Sequence, residues 1–564
     1  MVQDLRVQFS GVEQTPGTLP NEEGLVQITV TNYGNQSLTN GVVNIYGSIN
    51  NELNLDVLNS NSDHLTGTEV NSLQGTDELL GTLDGINLAA NESHSFTIDF
   101  ASPEFRNPSV VSPGAYYLFA EIDPENTVSE VNGDNNQDSQ FISVAGTDAI
   151  LDWNSVFLNA VQTKGELDRA NGVQLTDNSV PGEPPPIEAR NAAILSLAQY
   201  EAVSTITNGD RDLIDSLIPP PGASAEAAAV GAGYQVLSVL YPEQKATFDL
   251  QIQESLAEID GSQASKVQGF GYGIQVANQI LAQREDDGSD TAHTSYTPGT
   301  APGNYNETHE GGSVSAVLPN FGDVTPFVID DVANFRPDGP PKYGSEQFIQ
   351  ETEELRLYGG RGDTATTEIL RTPEQTEIAE FWAYDRLDTF RPPGQWIEIA
   401  QEVALDQGNT LEENALLFAG LNTALADAGI VAWNTKYTFD QQRPFNTIVQ
   451  DELTGVTHDP DWRPLLSTPP FPDYVSGHAT FGGAAAAVLE DFFGEDISFE
   501  IASQELPGVT RTFDGIGELS SFEQAALENA NSRLYAGVHL ESSNLDGLAA
   551  GQLVGEYVSE NFFA

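Results

Sequence analysis

The stretch 471-FPDYVSGHATFGGAAAAVLEDFF-493 decides how the C-terminal part of this chain folds. Its second half is rich in alanine and other apolar residues, as in a helix buried in a protein core. The polar tripeptide Ser476-Gly477-His478 stands where that helix begins. Serine is a good N-cap, glycine lets another group approach the backbone, and the free N–H groups of a helix start attract anions. A histidine there can exchange protons with a bound anion, although the tripeptide alone is more simply an ordinary helix cap.

Acidic residues dominate the composition. The 564 residues include 84 Asp and Glu against 21 Lys and Arg, which gives a formal net charge of −63. This charge argues against binding to nucleic acid, whose phosphates it repels. It fits a protein that stays soluble in a saline or exported setting. Because basic side chains are scarce, each cluster of them is a candidate anion site.

The chain contains no cysteine, so disulfides, thiolate catalysis and cysteine metal sites are excluded. No apolar run approaches the roughly 20 residues that cross a bilayer, and we expect no membrane span. The N-terminus 1-MVQDLRVQFSGVEQ-14 lacks the charged-then-apolar pattern of an export leader, which is either absent or already removed. We expect an extracellular or cell-surface protein.

Residues 1–146 alternate short β-rich runs with polar turns, and the period-2 pattern predicts an all-β, Ig-like sandwich. The passage 120-AEIDPENTVSEVNGDNNQDSQFISV-144 resembles the cell-adhesion-related bacterial β-sandwich domains (CARDB). That resemblance implies an accessory domain that binds a surface or a protein partner. The Asp and Asn residues in 130–136 are a candidate calcium site, with ordinary turn chemistry as the simpler explanation.

Residues 147–564 have the three- and four-residue apolar spacing of packed helices and predict a mainly α-helical bundle as the catalytic domain. Within it we distinguish a helical first half, 147–284, and a catalytic second half, 326–564. The polar, Gly- and Pro-rich stretch 285–325 predicts a loop between them. The apolar spacing typical of helices resumes near Pro373 and continues to the C-terminal end of the sequence.

Two further basic clusters lie in the catalytic half. The segment 411-LEENALLFAGLNTALADAGIVAWNTKYTFDQQRPF-445 predicts one helix on which Lys436 and Arg443, seven residues apart, share a face. Pro444 then ends the helix near Arg443. In 531-NSRLYAGVHLESSNLDGLAAGQ-552, Gly537 predicts a helix end or bend that turns His539 back toward a ligand held by Arg533. Solvated surface charges and a buried, hydrogen-bonded histidine are the simpler explanations of each cluster alone.

Taken together, the three clusters have the order and spacing of a known motif. They are Lys436 and Arg443-Pro444, then Ser476-Gly477-His478, then Ser532-Arg533 and His539. This set resembles the oxyanion motif shared by the vanadium-dependent haloperoxidases and the related acid and lipid phosphatases. Three cations, backbone N–H donors and two histidines suit a tetrahedral oxyanion.

The haloperoxidase resemblance implies a vanadate cofactor with His539 as its single covalent protein ligand. Its charge would be neutralised by Lys436, Arg443 and Arg533, and its oxygens would accept hydrogen bonds from Ser476 and the Gly477 N–H. The resemblance makes His478 the group that moves protons and gives Lys436 a second role in polarising bound peroxide. The expected reaction is the oxidation of halide by hydrogen peroxide to hypohalous acid, which halogenates an organic acceptor. Bromide is the expected halide, and chloride is the second candidate.

The stretch 467-STPPFPDYVSGHATFGGAAA-486 resembles the fungal chloroperoxidase type in particular. By that resemblance Trp433 and Phe471 line the halide pocket, although plain core packing explains Trp433 equally simply. The same resemblance suggests an acidic partner for Arg533, for which Asp385 is the candidate.

Two residues depart from the motif. Val475 replaces the usual proline before Ser476, and Ser543 stands where the phosphatases carry an acid that orients their nucleophilic histidine. The missing acid argues against the first alternative, an acid phosphatase in which His539 attacks phosphate. The second alternative is a cell-surface binding protein with a degenerate enzyme domain. The tripeptide 361-RGD-363 is too short to support adhesion.

Overall fold

The protein is described by a computed structural model. It describes residues 5–14, 23–32, 37–48, 77–90, 92–101, 116–122, 137–142, 148–177, 179–209, 213–214, 216–495, 497–506, 509–517 and 519–562. The candidate calcium stretch, 130–136, lies outside the described residues. The chain divides into two compact units, residues 1–159 with 502–508, and residues 160–501 with 509–564. The domain boundary predicted after residue 146 stays a prediction.

The N-terminal unit is built from antiparallel strands in two sheets, with strand orders β1-β2-β5 and β4-β3-β6-β7. The strands are β1 (Leu5–Gln14), β2 (Glu23–Asn32), β3 (Leu38–Ser48), β4 (Asp77–Leu88), β5 (Ser93–Ala101), β6 (Tyr116–Ile122) and β7 (Gln137–Ile142).

Strand β2 shows why these residues form a sheet. Ile28 and Val30 are fully buried, while the hydroxyl of Thr29 between them forms a hydrogen bond of 2.9 Å with Ser95 on β5. Apolar residues of both sheets form one hydrophobic cluster. The predicted all-β fold at the N-terminus, followed by a mainly helical region, is confirmed.

The rest of the described chain is mainly helical. Its helices are α1 (Ala149–Ala170), α2 (Pro185–Thr207), α3 (Ala225–Leu240), α4 (Lys245–Glu258), α5 (Gln263–Gln283), α6 (Glu346–Gly359), α7 (Pro373–Phe381), α8 (Arg391–Gln407), α9 (Leu411–Phe439), α10 (Pro444–Val449), α11 (Gly477–Phe493), α12 (Ser521–Tyr535) and α13 (Glu541–Phe562). Four short strands pair as β8 (Thr308–His309) with β9 (Gly312–Ser313) and as β10 (Phe499–Ala502) with β11 (Thr510–Phe513).

The expectation that helices resume only near Pro373 is wrong, because α6 begins at Glu346. Its start is fixed by Ser345, whose hydroxyl accepts a hydrogen bond from the N–H of Phe348 at 3.3 Å. The pairing of β10 with β11 also interrupts the helices that we expected to continue to the C-terminus.

The prediction that one helix carries both Lys436 and Arg443 is also wrong. Helix α9 ends at Phe439, and Asp440 follows in the left-handed conformation with φ 54°. The side chain of Asp440 accepts hydrogen bonds from Asn304 at 2.7 Å and from the hydroxyl of Tyr296. Because a distant loop thus anchors the helix end, Arg443 becomes the N-cap of α10, and Pro444 begins that helix rather than ending α9.

Helix α9 is a central core helix. Among the described residues it alone is long and apolar enough to cross a bilayer, so our expectation that no apolar run approaches that length is wrong. However, 94% of its most apolar window is buried inside the protein. It packs against α2, α11 and α13, which is the environment expected for an almost wholly apolar helix in a core.

Glycine residues let α11 and α13 pack with their backbones in contact. A Cβ atom on Gly551 would lie 2.0 Å from the carbonyl oxygen of Thr480, and one on Gly483 would lie 2.2 Å from that of Leu548. Only glycine fits at such distances. This packing fixes α11, whose first turn carries the Ser476-Gly477-His478 tripeptide.

Candidate active site

Ser476 caps α11 as predicted. Its hydroxyl accepts from the N–H of Ala479 at 3.4 Å, and its own N–H donates to the carbonyl of Ser543 at 2.9 Å. A Cβ atom built on the next residue, Gly477, would lie no closer than 3.5 Å to any atom beyond its chain neighbours and the nearby backbone of its own helix, an ordinary contact with the Trp433 ring. The protein's own packing therefore does not require glycine at this position, whereas a ligand that approaches the backbone would.

Lys436 is fully buried and points at the backbone in front of the tripeptide. Its ammonium group donates to the carbonyl oxygens of Pro472 at 3.0 Å, Asp473 at 3.1 Å and Val475 at 2.5 Å. Burial, followed by the charge of Arg443, lowers the pKa of Lys436 well below its ordinary value. In this structure the lysine thus holds the loop before α11, and its predicted roles in neutralising the oxyanion and polarising bound peroxide stay predictions.

Arg443 is fully buried beside the second histidine of the motif. Its Nε donates to the carbonyl of Phe471 at 2.6 Å and its Nη1 to that of Val538 at 2.9 Å. Nη1 also lies 3.2 Å from Nε2 of His539. Within the part of the chain that the structure describes, Nη2 has no hydrogen-bond partner.

Arg533, in the last turn of α12, is likewise fully buried. Its Nη2 contacts Oδ2 of Asp385 at 2.5 Å, so the structure places this acid where we predicted it. Although burial opposes ionisation, Arg533 and His478 hold the pKa of Asp385 below its ordinary value. Nε and Nη1 of Arg533 find no hydrogen-bond partner among the described residues.

The chain turns back after Arg533 as predicted. Helix α12 ends at Tyr535, and Gly537 takes a left-handed conformation with φ 80°, which a residue with a side chain rarely adopts. The N–H of Val538 then donates to the carbonyl of Arg533 at 3.1 Å. This turn brings His539 into the same buried cluster as the two arginines.

The hydrogen bonds around His539 define its tautomer. Nε2 faces a nitrogen of Arg443, a side chain that only donates, so Nε2 must present its lone pair. Nδ1 lies 3.1 Å from the hydroxyl of Ser543, which donates its own proton to the carbonyl of Asp473 and therefore accepts from Nδ1. Burial, and then the charges of Arg443, Lys436 and Arg533, hold the pKa of His539 well below its ordinary value. His539 is thus a neutral ring protonated on Nδ1.

Asp473 is a site residue that our sequence reasoning missed. Its fully buried carboxylate lies 2.9 Å from Nδ1 of His539 and 3.7 Å from Nη1 of Arg443. Burial raises the pKa of Asp473 to about 7, against the opposing effects of Arg443 and Lys436. The signal was an acid inside the apolar run before Ser476. We overlooked it because the phosphatase pattern places the acid after His539.

His478, in the first turn of α11, is buried and donates from Nε2 to the carbonyl of Ala383 at 2.9 Å. In the neutral ring Nδ1 is then the proton acceptor. Burial, followed by the charge of Arg533, lowers the pKa of His478 to about 3. A bound anion would act in the opposite direction and raise this pKa.

Trp433 and Phe471 form an aromatic pair beside the cations. Their ring centroids are 5.0 Å apart, and Trp433 donates from its indole nitrogen to the carbonyl of Val317 at 3.4 Å. The Lys436 ammonium lies 4.8 Å from the Phe471 centroid, and the Arg443 guanidinium lies 4.9 Å from it. The pair is thus both packed core and one wall of the cationic site.

The charge of the site selects an anion over a divalent metal. Across the described ranges, no three His, Asp or Glu residues are placed to hold a metal ion. By contrast, Nη2 of Arg443 and Nε and Nη1 of Arg533 are buried donors without a partner there. Buried donors are rarely left unsatisfied, so these nitrogens fit a tetrahedral oxyanion such as vanadate.

The chain is similar to known proteins over much of its length. Residues 416–563 match the family model described as the VCPO second helical-bundle domain. Vanadium chloroperoxidase from Curvularia inaequalis is 27% identical in an alignment 513 positions long, which covers 70% of this chain and 78% of that protein.

Solved structures agree with this relationship. The first bacterial vanadium-dependent iodoperoxidase gives a TM-score of 0.59 at 27% identity, covering 72% of this chain and 96% of its own. The holo-type bacterial vanadium-dependent chloroperoxidase gives 0.52 at 15% identity, covering 68% of this chain and 92% of its own, and shares the fold. This chain is therefore a relative of the vanadium haloperoxidases and carries their second helical-bundle domain at residues 416–563.

Proposed function

We propose that this protein is a vanadate-dependent haloperoxidase that oxidises bromide, and chloride as the second candidate, with hydrogen peroxide. One observation supports this most strongly. Arg443 and Arg533 carry three buried donor nitrogens without a hydrogen-bond partner in the described chain, and the charges of both arginines act on His539, whose Nε2 lies 3.2 Å from Nη1 of Arg443. Such a cluster offers charge, hydrogen bonds and one nitrogen ligand to the same oxyanion.

The residues that would hold vanadate belong to the buried cationic cluster and to the start of α11. Nε2 of His539 would be the metal ligand, Arg443 and Arg533 would neutralise the oxygens, and the N–H of Gly477 and the hydroxyl of Ser476 would donate to them. When bound, vanadate supplies Lewis-acid activation of hydrogen peroxide toward halide. Lys436 acts on this site by fixing the loop before Ser476, and its ammonium adds positive charge.

His478 is the group proposed to move protons. It is neutral in this structure, with Nδ1 as acceptor, and can therefore take a proton from hydrogen peroxide as a general base. A bound anion raises its pKa toward the range in which it can also return the proton. Asp385, paired with Arg533, keeps the arginine oriented beside this histidine.

Halide is proposed to meet the activated peroxide at the wall formed by Trp433 and Phe471. An apolar aromatic surface suits a weakly hydrated anion, and the two cations 4.8 Å and 4.9 Å from the Phe471 ring centroid attract it. The relatives are named for chloride and iodide, so iodide should be assayed beside bromide and chloride. The organic acceptor takes the halogen from the resulting hypohalous acid.

The direct test is a halide-oxidation assay on vanadate-free protein, before and after addition of orthovanadate. The proposal expects peroxide-dependent bromination of an organic acceptor only after vanadate is added. No halogenation with any of the three halides, at saturating vanadate, would refute it. An extracellular location and an accessory binding role for the β-rich unit belong to the same proposal, supported by the acidic composition.

An acid phosphatase is the second candidate, and one observation favours it. The acid that the sequence appeared to lack is supplied by Asp473 beside His539, so the missing acid at Ser543 does not count against phosphatase chemistry. Phosphate would bind the same arginines, and His539 would attack phosphorus through Nε2. Rapid hydrolysis of p-nitrophenyl phosphate by vanadate-free protein, without halogenation after vanadate loading, would select this candidate.

A further inference from the structure

We infer that Asp473 is the positioning residue that orients His539, keeping its proton on Nδ1 and its Nε2 lone pair directed at the oxyanion. The inference rests on the proposed function for the identity of the anion. The contacts of the carboxylate carry the inference itself. Nothing in the three-part motif assigns a role to this position.

The distances show that the Asp473 carboxylate lies closer to His539 than to either nearby cation. Oδ1 of Asp473 lies 2.9 Å from Nδ1 of His539 but 3.7 Å from Nη1 of Arg443. Lys436, the other nearby cation, donates to the backbone carbonyl of Asp473. The side chain is fully buried, so no water competes for it. Its closest charged or ionisable partner is therefore the histidine.

The hydrogen bond of Nδ1 goes to Ser543, while the Asp473 carboxylate meets Nδ1 as a close charge contact without hydrogen-bond geometry. Ser543 lies 3.1 Å from Nδ1 and donates its proton to the carbonyl of Asp473 at 3.0 Å. Asp473 thus contacts His539 directly through its carboxylate. It also acts on His539 indirectly, because its backbone carbonyl orients the hydroxyl of Ser543. The serine supplies a neutral acceptor, whereas only the carboxylate supplies negative charge to the ring.

That charge has opposite consequences for two kinds of anion binding. A carboxylate on Nδ1 makes Nε2 a better electron donor and strengthens a bond from Nε2 to a metal. For an anion held only by charge and hydrogen bonds, a nearby negative group is unfavourable. Asp473 should therefore strengthen binding of vanadate, which bonds to Nε2, and not binding of phosphate, which does not.

The test compares the two anions on the full-length, vanadate-free protein by isothermal titration calorimetry with orthovanadate and with inorganic phosphate, at about pH 8.5, above the pKa of Asp473 of about 7. Asp473→Asn keeps the size of the side chain and removes its charge. We expect vanadate affinity to fall about 10- to 100-fold, as for other partners of metal-bound histidines, with phosphate affinity unchanged or higher. Ser543→Ala, the matched control, removes only the neutral acceptor and should cost less vanadate affinity than Asp473→Asn.

An equal loss for both anions would show that Asp473 only maintains the fold, and unchanged vanadate affinity would show that it does not act on His539. Either result overturns the inference. Nitrogen NMR of wild-type protein labelled with [15N]histidine, with the His539 signals identified by their loss in His539→Gln, tests it without depending on the folding of the variant. The inference requires a neutral His539 protonated on Nδ1, and a proton on Nε2 contradicts it.

Failure of the proposed function would look different. Wild-type protein would then bind vanadate no more tightly than phosphate and would oxidise no halide. Comparison of the [15N]histidine spectra of wild type and Asp473→Asn would still report whether Asp473 holds the proton of His539 on Nδ1.

Discussion

Nη1 of Arg443 and Nε2 of His539 lie 3.2 Å apart, both fully enclosed by protein. Because a guanidinium only donates, this contact leaves the Nε2 lone pair facing the cationic cluster. Under the proposed function, the two residues would contact one oxyanion together, the arginine by charge and hydrogen bonds and the histidine by a bond to its central atom.

His539→Ala should abolish tight vanadate binding, because the other contacts are only charges and hydrogen bonds. We expect the dissociation constant to rise at least about 100-fold in equilibrium dialysis, the upper end of what outer partners of a metal site contribute. Phosphate, which needs no bond to Nε2, should lose much less affinity and serves as the control. Retention of wild-type vanadate affinity would show that His539 is not the ligand.

His478→Ala should retain vanadate and lose turnover. The ring is neutral with Nδ1 free to accept a proton, and loss of a general base typically lowers a rate by about 10²- to 10⁴-fold. Steady-state halide oxidation at saturating vanadate measures the rate, and dialysis confirms that the site is filled. A variant with full turnover would exclude this role.

Phe471→Ala should weaken halide oxidation while vanadate stays bound. The ring centroid lies 4.8 Å from the Lys436 ammonium and 4.9 Å from the Arg443 guanidinium, and loss of the ring would open the proposed halide site to water. We expect a higher KM for bromide, with Phe471→Tyr as a control that keeps the ring. Trp433→Ala should act in the same direction but also destabilise the fold, since Trp433 is 1% exposed. An unchanged KM in Phe471→Ala would remove the ring from the halide site.

We predict that ionisation of Glu183, which lies just before α2, lowers the free energy of unfolding as pH rises. It is buried, accepts hydrogen bonds from Asn191 at 2.5 Å and Tyr241 at 3.2 Å, and burial raises its pKa from 4.5 to about 7. Between these values the unfolded chain ionises while the folded chain keeps its proton. The group's stabilising contribution is thus complete below pH 4.5 and is lost as pH rises through 7, by about 3 kcal/mol.

Glu183→Gln keeps the shape and cannot ionise, so its unfolding temperature should fall less than that of the wild type between pH 4.5 and 8. Differential scanning calorimetry at matched ionic strength measures both. Parallel curves for the two proteins would show that Glu183 does not titrate in this range.

Features that depend only on residues close together in the chain could be predicted from the sequence. The Ser476 cap and the turn at Gly537 both depend on neighbouring residues and were predicted correctly. The Asp385 partner of Arg533 followed from the family resemblance.

What was missed depends on contacts between distant segments. The end of α9 is fixed by Asn304 and Tyr296, which lie far from Asp440 in the chain and gave no local signal. Asp473 meets His539 only because α11 and the turn after α12 converge, and Lys436 reaches three carbonyls of that same loop. Periodicity and motif spacing carry no information about such encounters.

Crystallography of the protein soaked in orthovanadate, with anomalous diffraction to locate vanadium, tests the central claim most directly. The account predicts one vanadium per chain, bonded to Nε2 of His539, with its oxygens contacted by Arg443 and Arg533. Vanadium bound away from this cluster, or an oxyanion in the cluster without a bond to His539, would contradict it.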